Sequence, residues 1–237
     1  MCLSCGCNMV DRAHDDRSIT LTVLAAAAEA AGISVREAAA NIRDSLPIPG
    51  PLPALFFDVD GTLAFQPEAS MVAVNARFGA SYLTVEGDTY PFVASLPEEQ
   101  AAWLTGRLDS GIIHANLAPD TKAIGVLHRA QKHGYNIAIC TERPPAQQEL
   151  TAAWLKAWRV PCDRLYVVGR GGKQDLLAQY GPDDPVILVD DSPFNAQLVP
   201  RDGVQVWQPA RPYNSGPPDG VWRFDHWHDV AARLGLA

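Results

Sequence analysis

Read along the chain, apolar positions gather into short runs separated by longer mixed stretches. Ala54–Val59, Asn136–Cys140, Leu165–Val168 and Val186–Val189 are each too short for a helix, and polar or glycine residues follow every one. This pattern predicts buried parallel strands. Pro119–His133, Ala146–Trp158 and Gln174–Tyr180 have helical character and fall between them. A later run, Val204–Trp207, predicts a strand at a sheet edge, and Trp227–Leu236 a closing helix. Strands alternating with helices predict an α/β fold with a parallel sheet covered on both faces.

One interval breaks the rhythm. Between the first strand and the helix at Pro119 lie about 60 residues without a strong strand, too many for a structureless loop. Glu68–Phe78 and Pro97–Leu108 read as helices, so the interval, at about 65–117, predicts an inserted helical cap over the strand ends. Ahead of this body, residues 1–46 form a leader. Thr20–Ala31 reads as a helix stopped by Gly32, and Ser34 with Glu37 forms a capping box that opens a second helix to about Leu46. Residues 47–53, Pro-Ile-Pro-Gly-Pro-Leu-Pro, cannot continue a helix and predict a linker, because proline lacks the amide donor and restricts its predecessor. The expected organisation is a leader (1–46), a linker (47–53) and a main body (54–237). Proline and glycine between Pro209 and Gly220 predict loop.

Composition narrows the classes. Apolar residues make up 47% of the 237 and charged residues 19%, ordinary for a globular protein. The net charge of -8 supplies no basic field for general nucleic-acid binding, while leaving room for a local phosphate pocket. No run approaches the roughly 20 apolar residues of a membrane span. No basic stretch followed by an apolar core marks a signal peptide, so the expected location is the cytoplasm. Five cysteines, three of them crowded at Cys2, Cys5 and Cys7, do not form a secreted disulfide framework.

The chemistry gathers where predicted strands end. In Phe56-Phe57-Asp58-Val59-Asp60-Gly61-Thr62-Leu63, two acids two residues apart follow an apolar strand, and in extended chain they point the same way. Carboxylates so placed repel unless a cation lies between them, and Mg²⁺ takes oxygen ligands of this kind. Val186-Ile-Leu-Val-Asp190-Asp191-Ser192 repeats the pattern. In an open parallel sheet both acidic strand ends reach one edge, where ligands bind. Thr141 ends another strand there, and its hydroxyl can donate to a phosphate oxygen. Lys173 follows Gly169-Arg170-Gly171-Gly172, whose glycines let amides and an ammonium approach an anion. Taken singly, each has a plainer reading: a solvated Asp-Gly turn, a helix-capping threonine, a surface lysine.

The ordered set Asp58-x-Asp60-x-Thr62, Thr141, Lys173 and Asp190-Asp191 resembles the haloacid dehalogenase superfamily of phosphatases over about residues 54–208. The resemblance implies a Rossmannoid parallel sheet with a cap after the first strand. It implies Mg²⁺, bound by Asp58, the backbone carbonyl of Asp60, and Asp191 or Asp190. Asp58 would be the nucleophile that forms an aspartyl-phosphate. Asp60 would be the acid that protonates the leaving oxygen and then activates water, with its pKa raised by burial and by Asp58 and opposed by the metal. Thr62 would orient the loop, and Thr141 and Lys173 would hold the phosphoryl group. Asp60 favours phosphate chemistry, since dehalogenases need no acid there. Cys140-Thr141-Glu142-Arg143-Pro144, Pro212-Tyr213-Asn214 and Val221–Trp227 are similar to the 5'(3')-deoxyribonucleotidase branch, which implies a nucleoside monophosphate substrate. Glu142 and Arg143 would then join the substrate site. Phe78, Tyr90, Phe92 and Trp103 are candidates for stacking on the base. Sugar phosphates, polynucleotide ends and a regulatory nucleotide-sensing role are the alternatives.

The leader carries separate signals. Cys2, Cys5 and Cys7 with His14 offer four ligands to Zn²⁺, although ribbon-type sites use two Cys-x-x-Cys pairs. The helix pair joined at Ala31-Gly32-Ile33-Ser34 has the outline of a helix-turn-helix, but Arg36 and Arg43 alone are too little charge for a DNA surface.

Overall fold

The structure, a computed structural model, describes residues 20–45, 52–85, 91–198 and 203–236. The chain divides into two compact units, residues 1–50 and 51–237. In the first, helix α1 (Leu21–Ala31) starts at Thr20, whose hydroxyl oxygen accepts from the Val23 N–H. It stops at Gly32, whose φ of 66° places it in the left-handed region. Helix α2 (Val35–Ser45) opens on the expected capping box: Ser34 Oγ accepts from the Glu37 N–H at 3.1 Å, and Glu37 Oε2 accepts from the Ser34 N–H at 2.8 Å. Leu24, Ala28 and Ala38 pack together as a small core. The expected zinc ligands Cys2, Cys5, Cys7 and His14 lie outside the described residues, as do Tyr90 and most of the expected linker.

The second unit begins with β1 (Ala54–Phe57). Helices α3 (Gln66–Phe78), α4 (Glu98–Asp109) and the short α5 (Ile112–Ala115) follow. Helix α6 (Thr121–Lys132), capped by the Asp120 carboxylate, leads to β2 (Ile137–Thr141). The chain continues through α7 (Gln148–Ala157), β3 (Arg164–Val167), α8 (Gly172–Leu177), β4 (Val186–Val189) and α9 (Pro193–Leu198). It ends with β5 (Val204–Pro209), β6 (Val221–Phe224) and α10 (Trp227–Arg233). All six strands are parallel, in the order β3-β2-β1-β4-β5-β6.

The period-two alternation of a strand divides its side chains between two cores. Leu55, Phe57, Ile137, Ile139, Ile187 and Val189 join Leu127, Trp154 and Val230 of α6, α7 and α10. Phe56, Ala138, Cys140, Leu188 and Val206 meet Leu177 of α8 and Ala196 of α9 on the other face. Phe56 and Phe57 are almost wholly buried, and each contributes about 2 kcal/mol of transfer free energy. Burial on both faces is why these runs are continuously apolar.

Two features differ from the sequence expectation. Val204–Trp207 is not the edge: β5 lies inside the sheet, and β6 pairs outside it, with Trp207 opposite Trp222. The rings of those tryptophans meet edge to face at 4.9 Å, and the Arg233 guanidinium lies over both. Four residues after a glycine- and proline-rich segment, three half-buried and Phe224 buried, carry too little periodicity to announce β6. The second difference lies in the cap. Phe78 and Trp103 pack edge to face on each other at 5.6 Å, and both pack against the main core. No helix among the described residues is long and apolar enough to cross a membrane.

Candidate active site

Strands β1, β2 and β4 lie side by side in mid-sheet, and strand order runs outward from β1 in both directions. Loops leaving their carboxyl ends therefore border one crevice. A cleft of about 220 Å³ opens there, and its lining includes Asp58, Asp60, Thr141, Glu142, Arg143, Lys173, Asp190 and Asp191. Thr62 lies directly behind it. Its hydroxyl donates to Asp191 Oδ1 at 2.9 Å and accepts from the Asp191 N–H at 3.0 Å, tying the β1 loop to the β4 loop. Gly61, at φ 91°, is required between them, because a Cβ there would strike the Asp191 carboxylate.

Lys173 is the hub. Gly171 turns the chain in the left-handed region, and the first turn of α8 directs Lys173 inward to 1% exposure. Its Nζ donates to Asp58 Oδ1 and to Asp190 Oδ2, each at 2.6 Å. Burial disfavours the ammonium, but Asp190 and Asp58 outweigh it and hold its pKa well above the ordinary lysine value. Burial likewise raises Asp58 well above the usual carboxylate range; Lys173 opposes this, and the neighbouring acids add to it. Asp191 is pushed up to about 7 by burial and by Asp190, against hydrogen bonds from Tyr213 and Thr62.

Carboxylate oxygens of Asp58, Asp190 and Asp191 lie within 4.8 Å of one another, all buried. Three carboxylates against the one ammonium of Lys173 leave two negative charges uncompensated in this cluster when all are ionised. Hard oxygen donors with that charge deficit fit a divalent cation such as Mg²⁺. The side chain of Asp60 is not in the cluster.

Asp60 faces Arg143 instead. The guanidinium grips it through Nε–H to Oδ2 and Nη2–H to Oδ1, both 2.7 Å, and donates through Nη1 to Thr151 at 3.3 Å. Burial would raise Asp60, but the charge and hydrogen bonds of Arg143 win, with help from Lys173, and the carboxyl lies below its usual value. Arg143 thus reverses the rise expected from burial and Asp58. Arg143 is therefore occupied in holding Asp60. Glu142 also lies at the cleft but acts as a brace, accepting from the Gly171 N–H at 2.6 Å and from Asn195 Nδ2 at 3.5 Å. Phe78 and Trp103, expected on the substrate, are not in the cleft lining, which contains no Phe, Tyr or Trp among the described residues. Their mutual packing in the cap accounts for them.

Several cleft residues gave no signal in the sequence. His114, from α5, lines the cleft with Nε2 4.0 Å from Asp60 Oδ2. Gln147 fixes its tautomer: Gln147 Nε2 donates to the carbonyls of Leu108 and Asp109, which turns Oε1 toward His114 Nδ1 at 2.6 Å. Nδ1 must then carry the proton, and the neutral ring presents the Nε2 lone pair to the cleft. Burial lowers the His114 pKa and favours this neutral form. Asn195 Nδ2 donates to Asp190 Oδ2 at 3.0 Å. The Pro212-Tyr213-Asn214 segment does reach the site: Tyr213 donates to Asp191 Oδ2 at 2.7 Å and Asn214 Nδ2 to the Asp191 carbonyl at 2.9 Å. A lone histidine in an apolar stretch has no motif to mark it, whereas Pro-Tyr-Asn was visible as a short match.

No family model matches the chain, and no curated protein does. Solved structures match over most of its length. A hydrolase of the haloacid dehalogenase superfamily, subfamily IA, from Geobacter sulfurreducens PCA is 17% identical with a TM-score of 0.53, covering 79% of this chain and 98% of that one. A hydrolase of the same family from Deinococcus radiodurans R1, solved with phosphate and sodium, is 18% identical at 0.54, covering 79% and 98%. An L-2-haloacid dehalogenase is 12% identical at 0.54, covering 78% and 99%. The chain is an α/β protein with a doubly covered parallel sheet. Its fold is that of the haloacid dehalogenase superfamily.

Proposed function

We propose that this protein is a Mg²⁺-dependent phosphomonoester hydrolase that works through an aspartyl-phosphate on Asp58. The observation that carries this reading is the buried Asp58–Lys173–Asp190 array beside Asp191 at one sheet edge. A dehalogenase has no need of a second acid in the first loop, and Asp60 lines this cleft. The Deinococcus relative of the fold was solved with phosphate, which accords with a phosphate-binding cleft.

Lys173 binds Asp58 through Oδ1, leaving Oδ2 as the attacking atom. Oδ2 bonds to phosphorus as the ester P–O bond breaks, and the leaving oxygen takes a proton. Water then adds to phosphorus, the Asp58–phosphorus bond breaks, and phosphate departs with Asp58 restored as carboxylate. Lys173 and Thr141 donate to the phosphoryl oxygens as charge spreads over them. Arg143 keeps Asp60 ionised, which suits Asp60 to take the proton from the attacking water. To serve as acid in the first step, Asp60 must gain a proton against Arg143, and the incoming phosphate dianion weakens that clamp by competing for the guanidinium. Mg²⁺, held by Asp58, Asp190 or Asp191 and the Asp60 carbonyl, would supply positive charge against the transferring phosphoryl group.

The cleft best accommodates a small, polar phosphomonoester such as a sugar phosphate, because no Phe, Tyr or Trp among the described residues lines it for a base. A 5'-nucleotidase is the second reading, favoured by the seating of Pro212–Asn214 on Asp191. Phosphate release from sugar phosphates and nucleoside monophosphates, with Mg²⁺ and with chelator, separates the two. Asp58→Asn should lower release at least about a thousandfold with unchanged circular dichroism. Near wild-type release from that variant would remove Asp58 as nucleophile.

A further inference from the structure

A second cleft, of about 580 Å³, lies in the same unit and is larger than the first. One wall is α6, where Lys122 and Arg129 share a face seven residues apart. Both are exposed, and neither side chain has a hydrogen bond or ion pair among the described residues. Between them sit Val126 and Gly125, and a Cβ at Gly125 would meet nothing within 4 Å, so the strip between the cations is low and apolar. The facing wall is formed by Pro209, Phe224 and Trp227. The other charged groups are largely committed. Asp120 accepts from Trp227 Nε1 at 2.9 Å and caps α6, and Arg211 is bound to the Gly61 carbonyl. His228 pairs with Asp229 and stacks on His226. Among the described residues of the lining, Asp225 is the one acid without a hydrogen bond or ion pair, against two such cations, and the charges of Asp120 and Arg211 offset each other. Unpaired cations flanking an apolar slot match an anion that carries a flat apolar body.

Both walls grip the loop that carries Asp58 and Asp60. Arg211 donates twice to the Gly61 carbonyl, at 3.0 and 2.7 Å, and the Asp120 N–H donates to the Leu63 carbonyl at 2.7 Å. We propose that this cleft is an effector site for an aromatic organic anion of mononucleotide size, coupled to the 59–65 loop through Arg211 and Asp120. A ligand wedged between the walls changes the freedom of both anchors, and coupling of this kind needs no contact with the phosphoryl site.

The probe is 8-anilinonaphthalene-1-sulfonate, which combines an aromatic body with a fixed negative charge. Titration of the full chain should give saturable fluorescence, and Lys122→Glu with Arg129→Glu should weaken it about tenfold or more. Those side chains hold nothing else, so circular dichroism of the double variant should not change. At saturation the probe should slow amide exchange across 59–65 in the wild type and not in the variant. Absence of saturable binding, or equal affinity in both proteins, would overturn the site. Binding without the exchange effect would overturn the coupling. Neither readout uses turnover, so the result is independent of the phosphatase assignment.

Discussion

At the scale of single residues, the pairing of Arg143 with Asp60 decides the most. A bidentate fork with 1% side-chain exposure on arginine and 19% on aspartate is well shielded, and its partner in Thr151 fixes the plane. Arg143→Ala leaves a largely buried carboxylate without its cation, and should lower unfolding free energy by about 3 kcal/mol in urea denaturation. Arg143→Lys should not restore it, since one ammonium cannot span both oxygens in the plane of the fork. Full stability in the lysine variant would show that charge alone matters here. The sequence made Asp58, Asp60, Asp190 and Asp191 legible because acids at apolar strand ends stand out against their surroundings. It gave no sign of the contact between Arg143 and Asp60. Spacing within Thr141-Glu-Arg143 says nothing of an aspartate 83 residues earlier, and the sign of the Asp60 shift followed from that missing contact.

At the scale of elements, the central strands and the β3 edge were legible and the β6 edge was not. β1, β2 and β4 are covered on both faces, so their apolar runs are unbroken. β6 is covered mainly through Trp222 and Phe224, and its register with β5 depends on long-range packing that no local pattern records. The same double coverage has a measurable consequence in β2. Burial pushes the Cys140 thiol up to about 12 from an ordinary value near 9, with Lys173 opposing and nearby acids adding. The folded chain thus keeps this proton where the unfolded chain loses it. The stabilising contribution is complete below pH 9 and declines as pH rises toward 12, with a limiting slope of about 1.4 kcal/mol per unit. Cys140→Ala should remove that part of the alkaline decline, measured as the difference between the two proteins in urea midpoints from pH 8.5 to 10.5. Parallel profiles would mean that Cys140 does not carry it. By the same argument the wild-type thiol should resist alkylation at pH 8 until the protein unfolds.

For the whole molecule, the question is what balances the charge that the sheet concentrates at one edge. The cap interval was legible from length alone, since about 60 residues without a strand must fold into something. Phe78 and Trp103 do not line the cleft, and helical spacing does not distinguish a side chain facing it from one packed as these two are on each other. The acidic cluster has the opposite character: local in sequence, yet meaningful only when parallel strands align. Asp58, Asp190 and Asp191 are brought together by the pairing of β1 with β4, so folding itself assembles a repulsive group that one lysine only partly offsets. A cation that binds only the folded cluster must then stabilise the entire second unit. At a concentration about a hundredfold above its dissociation constant, Mg²⁺ should add about 2.7 kcal/mol, seen as a higher melting temperature that chelator reverses. Asp191→Asn removes one charge and should shrink that Mg²⁺ response while raising the metal-free melting temperature, because it relieves repulsion. A simple loss of structural hydrogen bonds from Thr62 and Tyr213 would instead lower the melting temperature with and without metal. The direction of the metal-free change therefore tells whether charge or hydrogen bonding governs this edge of the sheet.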